Sequence, residues 1–455
     1  MRRAEASFRS TWAVALLAQV SLVVALFGVA TFPAYGDLQA YSDPEALGKG
    51  GGGFDVAVNG KGEMVVVRST GNSLHAQSYD SAGRAQGNIA VIPPVSLSVP
   101  LLPAVAMDQQ GRFVLAWRYE SLFPDPSPPI GHVFLQLFDA EANPVGSTFQ
   151  AFPFDQHVSG FPRLAMAPDG SFWVAGRTGD SGDAGVIVLR RFDSQGSPMT
   201  ESLRVSAPTE NPFHFPLLAM APDGRLATLT SDCEITSCTH PGVRAQVYGA
   251  SGAPLGEGVE LTDQGLGYGV AWVPGQGFVA LWRRPSQPDL PLIHQIFAIE
   301  GRAFGEDSVG PIFVVKGESE GVGTLSQYVE SGVEVQSKVA VDSFGNLVVT
   351  WEEELDFPAD SGIYARALDS QLDVNGPIVE VSFGAGQPVF GPVVAPIGPR
   401  RFNLIWVSVP DGQGSHLVGQ KFLVSGDDCL PASTSFCLQQ GLPSATPVTM
   451  EGSGL

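Results

Sequence analysis

Seven residues with the capacity to bind a charged ligand come directly after three tryptophans of the chain. They are Arg118 and Tyr119 after Trp117, Arg283 and Arg284 after Trp282, and Glu352, Glu353 and Glu354 after Trp351. Guanidinium groups bind carboxylates and phosphates through paired hydrogen bonds, and clustered carboxylates can hold a cation. We predict these seven as the candidate binding residues, with a solvated surface as the simpler interpretation of the three glutamates.

A nucleophile motif occurs in the stretch GESEG, residues 317–321. The pattern G-x-S-x-G marks the catalytic serine of some hydrolases when it lies between a strand and a helix, with an Asp and a His further along the chain. The run VGTLSQYVESG that follows is a poor helix, and His416 is the only later histidine. We therefore interpret the stretch as a loop, and predict no catalytic residue and no cofactor.

A calcium site is the chemical alternative for four aspartates that lie in short turns. A calcium loop needs several oxygen ligands at alternate positions, whereas each of these turns supplies one carboxylate. We interpret the four as turn residues whose carboxylates bond their own backbone; they are Asp108, Asp169, Asp223 and Asp342. The seven histidines show no metal-ligand spacing within one element, so no metal site is predicted.

The four cysteines form two close pairs, Cys233 with Cys238 and Cys429 with Cys437. Three connectivities are open, and closeness in sequence favours the local one. In an exported chain the pairs predict two small disulfide loops. Zinc is the alternative, but the cysteines have no C-x-x-C spacing and no histidine at ligand spacing.

The elements that must position all these side chains follow from a repeat. The stretch LAMAPDGSFWVAG at residues 164–176 returns as LAMAPDGRLATLT at residues 218–230. In both copies, a turn residue lies five positions after the first alanine of the stretch, and an apolar residue lies seven positions after it. This alanine marks seven units, at Ala57, Ala106, Ala165, Ala219, Ala271, Ala340 and Ala395.

Each unit also has a second half with its own turn, such as VFLQLFDAEANPVG at residues 133–146. The apolar runs are short, rich in β-branched and aromatic residues, and bounded by turn residues, which is typical of strands. One unit therefore predicts four antiparallel strands, and seven units predict an all-β, seven-bladed β-propeller.

Two faces of this propeller differ in sequence. The connections between second and third strands and those between blades share one face, which we call the loop face; the tight turns share the other, the turn face. Length variation is concentrated on the loop face, so we expect binding there. The first strands, which line the axis, read as nearly all apolar, and this argues against an enzyme.

The seventh unit ends after QKFLVS without a convincing fourth strand, while a strand-like segment, residues 37–42, precedes the first unit. An open edge would expose unpaired backbone groups. We predict that residues 37–42 form the outer strand of the last blade, and that the glycine-rich residues 48–53 link it to blade one. Four tryptophans share one repeat position and are expected to pack between blades rather than form a sugar platform: Trp117, Trp282, Trp351 and Trp406.

The units resemble repeats of secreted bacterial β-propellers, in which VAxDxxGxFVVxW precedes QRFDxxGxPVG. The third unit is also similar to delta-sixty-type repeats, with MAPDGSFWVAG followed by LRRFDSQG. The resemblance spans Phe54 to Ser425 and implies the fold but no particular activity. Gln276 and Arg400 depart from it, because they replace the turn glycine.

The chain ends predict export. Arg2, Arg3 and Arg9 precede an apolar run, and Ala34-Tyr35-Gly36 offers a cleavage site, which is typical of a signal peptide; an uncleaved anchor is the alternative. We predict a signal segment at 1–36, the propeller at 37–428, and a cysteine-bracketed segment with a disordered tail at 429–455.

Composition limits the function. The chain carries 46 Asp and Glu against 25 Lys and Arg, a net charge of −21, which disfavours nucleic acid. We predict a secreted, periplasmic or cell-surface monomer that binds a protein or glycan without catalysis, and no membrane span once the signal is cleaved. The alternatives are a secreted polysaccharide hydrolase or lyase and a scaffold fragment of a larger protein.

Overall fold

The computed structural model describes most of the chain from residue 38 to residue 425. The described residues are 38–40, 45–49, 51–94, 98–121, 132–153, 158–178, 185–205, 216–231, 242–286, 296–320, 338–356, 360–374, 376–385, 389–409 and 416–425. They form seven antiparallel sheets, one for each repeat unit, and the predicted seven-bladed propeller is confirmed. No helix among these residues is long and apolar enough to cross a membrane.

The blades follow one another along the chain, and β1 (Leu38–Ala40) and β2 (Glu45–Lys49) precede blade one. Blades one to three comprise β3 (Gly51–Val58), β4 (Met64–Thr70), β5 (Ser73–Tyr79), β6 (Ala85–Ile92); β7 (Ser98–Met107), β8 (Phe113–Ser121), β9 (Val133–Phe138), β10 (Pro144–Gln150); and β11 (Val158–Met166), β12 (Phe172–Thr178), β13 (Ile187–Phe192), β14 (Leu203–Arg204). Blades four and five comprise β15 (Leu217–Met220), β16 (Leu226–Ser231), β17 (Val243–Tyr248), β18 (Pro254–Thr262); and β19 (Leu266–Val273), β20 (Gly277–Pro285), β21 (Phe297–Phe304), β22 (Phe313–Lys316). Blades six and seven comprise β23 (Val339–Val341), β24 (Leu347–Asp356), β25 (Asp360–Leu368), β26 (Val379–Ala385); and β27 (Val389–Gly398), β28 (Arg401–Ser408), β29 (His416–Val424). One turn of 3₁₀ helix, Glu318–Glu320, follows β22.

The turn between first and second strands explains the aspartates of the repeat. Asp108 Oδ1 accepts hydrogen bonds from the backbone N–H groups of Gln110 and Arg112, at 2.9 and 3.0 Å. Asp342 binds the N–H groups of its own turn in the same way. These contacts confirm the interpretation of both carboxylates as turn residues. Among the described residues no group of three or more acidic, His or Cys side chains lies together as a metal site would require.

The hydrophobic core lies between the blades rather than within any one of them. An apolar cluster joins each pair of neighbouring blades, including blades seven and one. All four repeat tryptophans are buried in these interfaces, and the prediction that they pack between blades is confirmed. These shared clusters, with two of them between blades six and seven, make each blade depend on both of its neighbours.

Strands from the two ends of the described chain close the ring. β1 and β2 both pair antiparallel with β29, from Leu38 opposite Val424 to Lys49 opposite His416. Blade seven therefore takes its outer strand from the N-terminal segment, as the missing fourth strand predicts. The glycine-rich stretch differs from the prediction: it is not a free link, because Gly48 and Lys49 end β2 and residues 51–53 already belong to β3.

Several other predictions fall outside the described residues. The proposed signal segment, the four cysteines with their two disulfides, and the segment at 429–455 stay predictions. So does the resemblance to secreted bacterial propellers, since the structure bears on the fold of the units and not on their family.

Candidate functional site

A cavity of about 310 Å³ runs between the first strands of the blades. The side chains that line it are apolar, while backbone polar groups also face it, and the lining includes five of the seven marker alanines, Ala57, Ala106, Ala165, Ala340 and Ala395. Small side chains suit a position where seven strands approach one axis. None of the residues that line the cavity is charged, so charged groups must be sought nearer its ends.

Charged groups do occur on the first strands, two positions before a marker alanine and toward the loop face. They are Asp55 on β3, Arg163 on β11 and Lys338, which directly precedes β23, and all three are buried. The expectation of nearly apolar inner strands was therefore wrong at this position. The other units carry small or apolar residues there, so only an alignment read one position at a time could have found the three charges.

Asp55 ties blade one to blade two. Its Oδ2 accepts a hydrogen bond of 2.8 Å from the backbone N–H of Val105, while its Oδ1 is buried with no hydrogen-bond partner among the described residues. Burial raises the pKa of Asp55 to about 7, although the N–H groups of Val105 and Val56 and the charge of Arg163 favour the ionised form. The carboxyl is thus held largely protonated at mildly acidic pH.

Asp55 should make the protein less stable as the pH rises. The unfolded chain ionises this group at its ordinary pKa of 3.8, and the folded chain only at about 7. The folded state therefore binds the extra proton between these values, so stability from this group is full below pH 3.8 and lost as the pH rises through about 7. Asp55→Asn keeps an oxygen for Val105 and should gain in melting temperature relative to wild type as the pH rises. Melting curves that stay parallel across this range would contradict the assignment.

The loop-face ends of blades five and six hold a cluster built around Arg283. This side chain is only 7% exposed. Its guanidinium carbon lies 4.3 Å from the ring centre of Tyr268 and 4.9 Å from that of Phe297. Cation–π contacts to two rings hold a planar group in one orientation. Nε has no hydrogen-bond partner among the described residues, so the guanidinium is positioned without being neutralised by them.

Lys316 and Glu353 form a buried ion pair beside this arginine. Lys316 Nζ lies 3.2 Å from Glu353 Oε1 and 4.2 Å from the ring centre of Phe297, and it donates a 2.8 Å hydrogen bond to the Phe297 carbonyl. Burial lowers the pKa of Lys316, Glu353 opposes this by attraction, and Arg283 adds to the lowering. Glu353 also accepts a 2.8 Å hydrogen bond from Trp351 Nε1. Its carboxylate is therefore committed to partners other than Arg283.

The acidic run differs from the solvated surface expected of it. Glu353 and Glu352 are both buried, and Glu352 Oε2 accepts a 3.0 Å hydrogen bond from the backbone N–H of Gly391 in blade seven. Glu354 lies at the same end of β24, but its side chain is outside the described part. The described glutamates join blades, and they do not form an open cation site.

Arg284 has a different role from its neighbour. It binds Glu300 through Nε and Glu318 through Nη1, both at 2.7 Å. Glu320, from the same 3₁₀ turn, pairs with Arg366 of blade six at 3.2 Å. The two glutamates of the GESEG stretch thus serve as ion-pair partners that fasten this segment to the blades, which supports a structural role over a nucleophile elbow.

The structure brings together only part of the predicted set. Arg283, Arg284, Glu352 and Glu353 lie on blades five and six, whereas Arg118 and Tyr119 lie on β8 of blade two. Arg118 is half-buried, and the side chain of Tyr119 is outside the described part. Sequence reasoning missed the residues around Arg283, since they come from three other strands and one link between blades: Tyr268, Phe297, Lys316 and Lys338, whose Nζ is 5.1 Å from the Tyr268 ring centre.

Neither a protein-family model nor a curated protein sequence matches this chain. Solved structures of similar fold include a protein of unknown function from Dyadobacter fermentans, 12% identical over 73% of this chain and 96% of its own, with a TM-score of 0.42. An α-L-arabinanase of Penicillium chrysogenum, solved with arabinobiose, is 16% identical over 73% of this chain and 96% of its own, with a TM-score of 0.44. An ulvan lyase is 10% identical over 86% of this chain and 95% of its own, with a TM-score of 0.48. These identities and TM-scores are too low to assign a family or an activity to this chain.

Proposed function

We propose that the protein binds an acidic polysaccharide on its loop face, through a carboxylate or sulfate group held by Arg283. The observation that carries the proposal is a guanidinium that is nine-tenths buried, in contact with the rings of Tyr268 and Phe297, and without an ion-pair partner among the described residues. A buried cation without a partner is costly, and an anion that presents two oxygens would offset that cost through paired hydrogen bonds.

The net charge of the whole chain restricts the classes of anionic ligand that the protein can bind. A net charge of −21 repels dense polyanions such as nucleic acids. A single recessed arginine suits a ligand with one charged group set among neutral ones. A saccharide chain with sparse uronate or sulfate groups has this pattern, and it fits the export that the N-terminal segment predicts.

Binding to three acidic polysaccharides tests the proposal. Affinity electrophoresis in glucuronoxylan, a highly methyl-esterified pectin and a sparsely sulfated galactan should retard the protein in at least one, and the carboxyl-reduced or desulfated polymer should retard it far less. Arg283→Gln should weaken binding about tenfold or more, as loss of a charge-assisted pair does. Arg284→Gln is the matched control, since Arg284 already has two glutamate partners. Equal retardation by the neutral polymer, or unchanged binding by Arg283→Gln, would rule the proposal out.

A lyase acting on the same saccharide is the second candidate function. β-Elimination needs a cation on the uronate carboxylate and a base that takes the neighbouring proton. Arg283 would be the cation, and the specific observation is a second basic side chain, Lys338, over the same Tyr268 ring. The polymers above report this directly, because elimination leaves an unsaturated sugar end that absorbs ultraviolet light.

A further inference from the structure

A second pocket, of about 450 Å³, opens on the turn face between blades four and five, at the opposite end of the blades from Arg283. Trp272 and Phe278 form its apolar wall, and Arg225, Gln276 and Ser308 are polar residues that line it. Pockets of this size with an aromatic wall and a few polar groups are typical of small-ligand sites. The repeat gives this pocket an internal comparison, because six other blades show what the fold alone requires.

Blade five departs from the other blades at the residues that form the pocket. Trp272 follows the marker alanine, and it is the one tryptophan of the described chain whose ring is partly exposed rather than buried. Its turn reads VPGQG, and Gly275 and Gly277 both adopt positive φ, at 85° and 89°. At the position of Trp272 the other copies carry smaller or more flexible residues, namely Val58, Met107, Met166, Met220, Val341 and Pro396. Folding of the repeat therefore does not require an indole here.

The charges beside the pocket specify a ligand different from that of the loop face. Arg225 stands over the Trp272 ring, with its guanidinium carbon 5.3 Å from the ring centre. It is already paired with Asp223 at 2.8 Å and lies 3.7 Å from Glu306. Because the two carboxylates of Asp223 and Glu306 outnumber the one guanidinium of Arg225, binding of an anion is disfavoured here. They leave acceptor oxygens that suit hydroxyl donors.

We infer that this pocket binds an uncharged saccharide, with the apolar face of a sugar ring against Trp272 and its hydroxyl groups toward Asp223 and Glu306. An aromatic wall for C–H groups beside hydrogen-bonding side chains matches the two kinds of surface that a sugar ring presents. The site is separate from Arg283 and independent of the acidic ligand proposed there.

Trp272→Met provides the sharpest test, since methionine is the residue of three other blades at this position and the variant should fold. Affinity electrophoresis in a β-1,3-glucan, xylan, arabinan and galactomannan should retard the wild type in at least one polymer. Trp272→Met should bind that polymer at least about tenfold more weakly than wild type, which is the scale of one aromatic contact. Arg283→Gln should bind it as well as wild type does.

Phe344→Ala is the matched control. Phe344 is an aromatic residue of the same face, 56% exposed and 5.6 Å from an arginine guanidinium, Arg400, but it lines no described pocket. This variant should bind like wild type. A measurement on the unmodified protein completes the test: the polymer should protect Trp272 fluorescence from iodide quenching. The inference fails if no neutral polymer binds, if Trp272→Met binds like wild type, or if the polymer leaves quenching unchanged.

Discussion

A chain that starts at residue 49 should aggregate and lose cooperative unfolding under conditions where a chain that starts at residue 37 is a stable monomer. Removing residues 37–48 leaves β29 as an exposed edge along most of its length, and unpaired edges promote association. It also removes Leu38, which is 3% exposed and packs into the cluster shared by blades six and seven. Size-exclusion chromatography and thermal melting of the two chains measure the effect.

A pair of point variants tests the contribution of β1 without shortening the chain. Leu38→Asp places a charge in the apolar cluster and should lower the melting temperature strongly. Gln39→Asp changes the next residue of the same strand, whose side chain is exposed, and should have little effect. Equal melting temperatures of the two variants, or of the short and long chains, would mean that the pairing of β1 and β2 with β29 contributes little to stability.

Trp282→Ala should destabilise the fold by about 3–5 kcal/mol, as truncation of a buried aromatic does. The ring is fully buried between blades four and five, and its Nε1 donates a 3.2 Å hydrogen bond to Glu300. Loss of the ring leaves a cavity at an interface on which both blades depend. Urea unfolding followed by circular dichroism, with no reliance on tryptophan fluorescence, gives the free energy of unfolding.

Trp272→Ala is the internal control for this measurement. It removes a tryptophan of the same blade whose ring is partly exposed, so less buried surface is lost and the destabilisation should be clearly smaller. A Trp282→Ala protein that unfolds at the urea concentration of wild type would show that the interface between blades four and five tolerates the cavity.

The repeat made the architecture predictable, because each unit contains the same local signals. The marker alanine, the turn and the shared tryptophan position indicate strands, their order and the buried face without any knowledge of distant contacts. Ring closure was predictable from a count, since blade seven lacks a strand and residues 37–42 have no other unit to join. The end of the glycine-rich link was not, because glycine-rich sequence favours a loop and the pairing of β2 with β29 outweighs that preference.

The candidate site was predictable only in part, since its contacts cross blades. Arg283 is recognisable from its place after Trp282. The burial and orientation of its guanidinium depend on Tyr268, Phe297 and Lys316, which come from other strands. Glu353 resembles a surface glutamate until Lys316 of the neighbouring blade is placed beside it. Trp272 stands out only when blade five is compared with the others, position by position.

The pairing of β1 and β2 with β29 also means that these two strands are synthesised long before their partner. The first strands of the ring are made before any blade, and their partner is completed only at Val424. At the usual pace of translation this interval is on the order of a minute. Until then blade seven is absent and the early strands have no partner. A glycine-rich stretch at residues 48–53 is a poor template for intermolecular β-pairing, so during this interval the end of β2 and the start of β3 disfavour pairing with neighbouring chains.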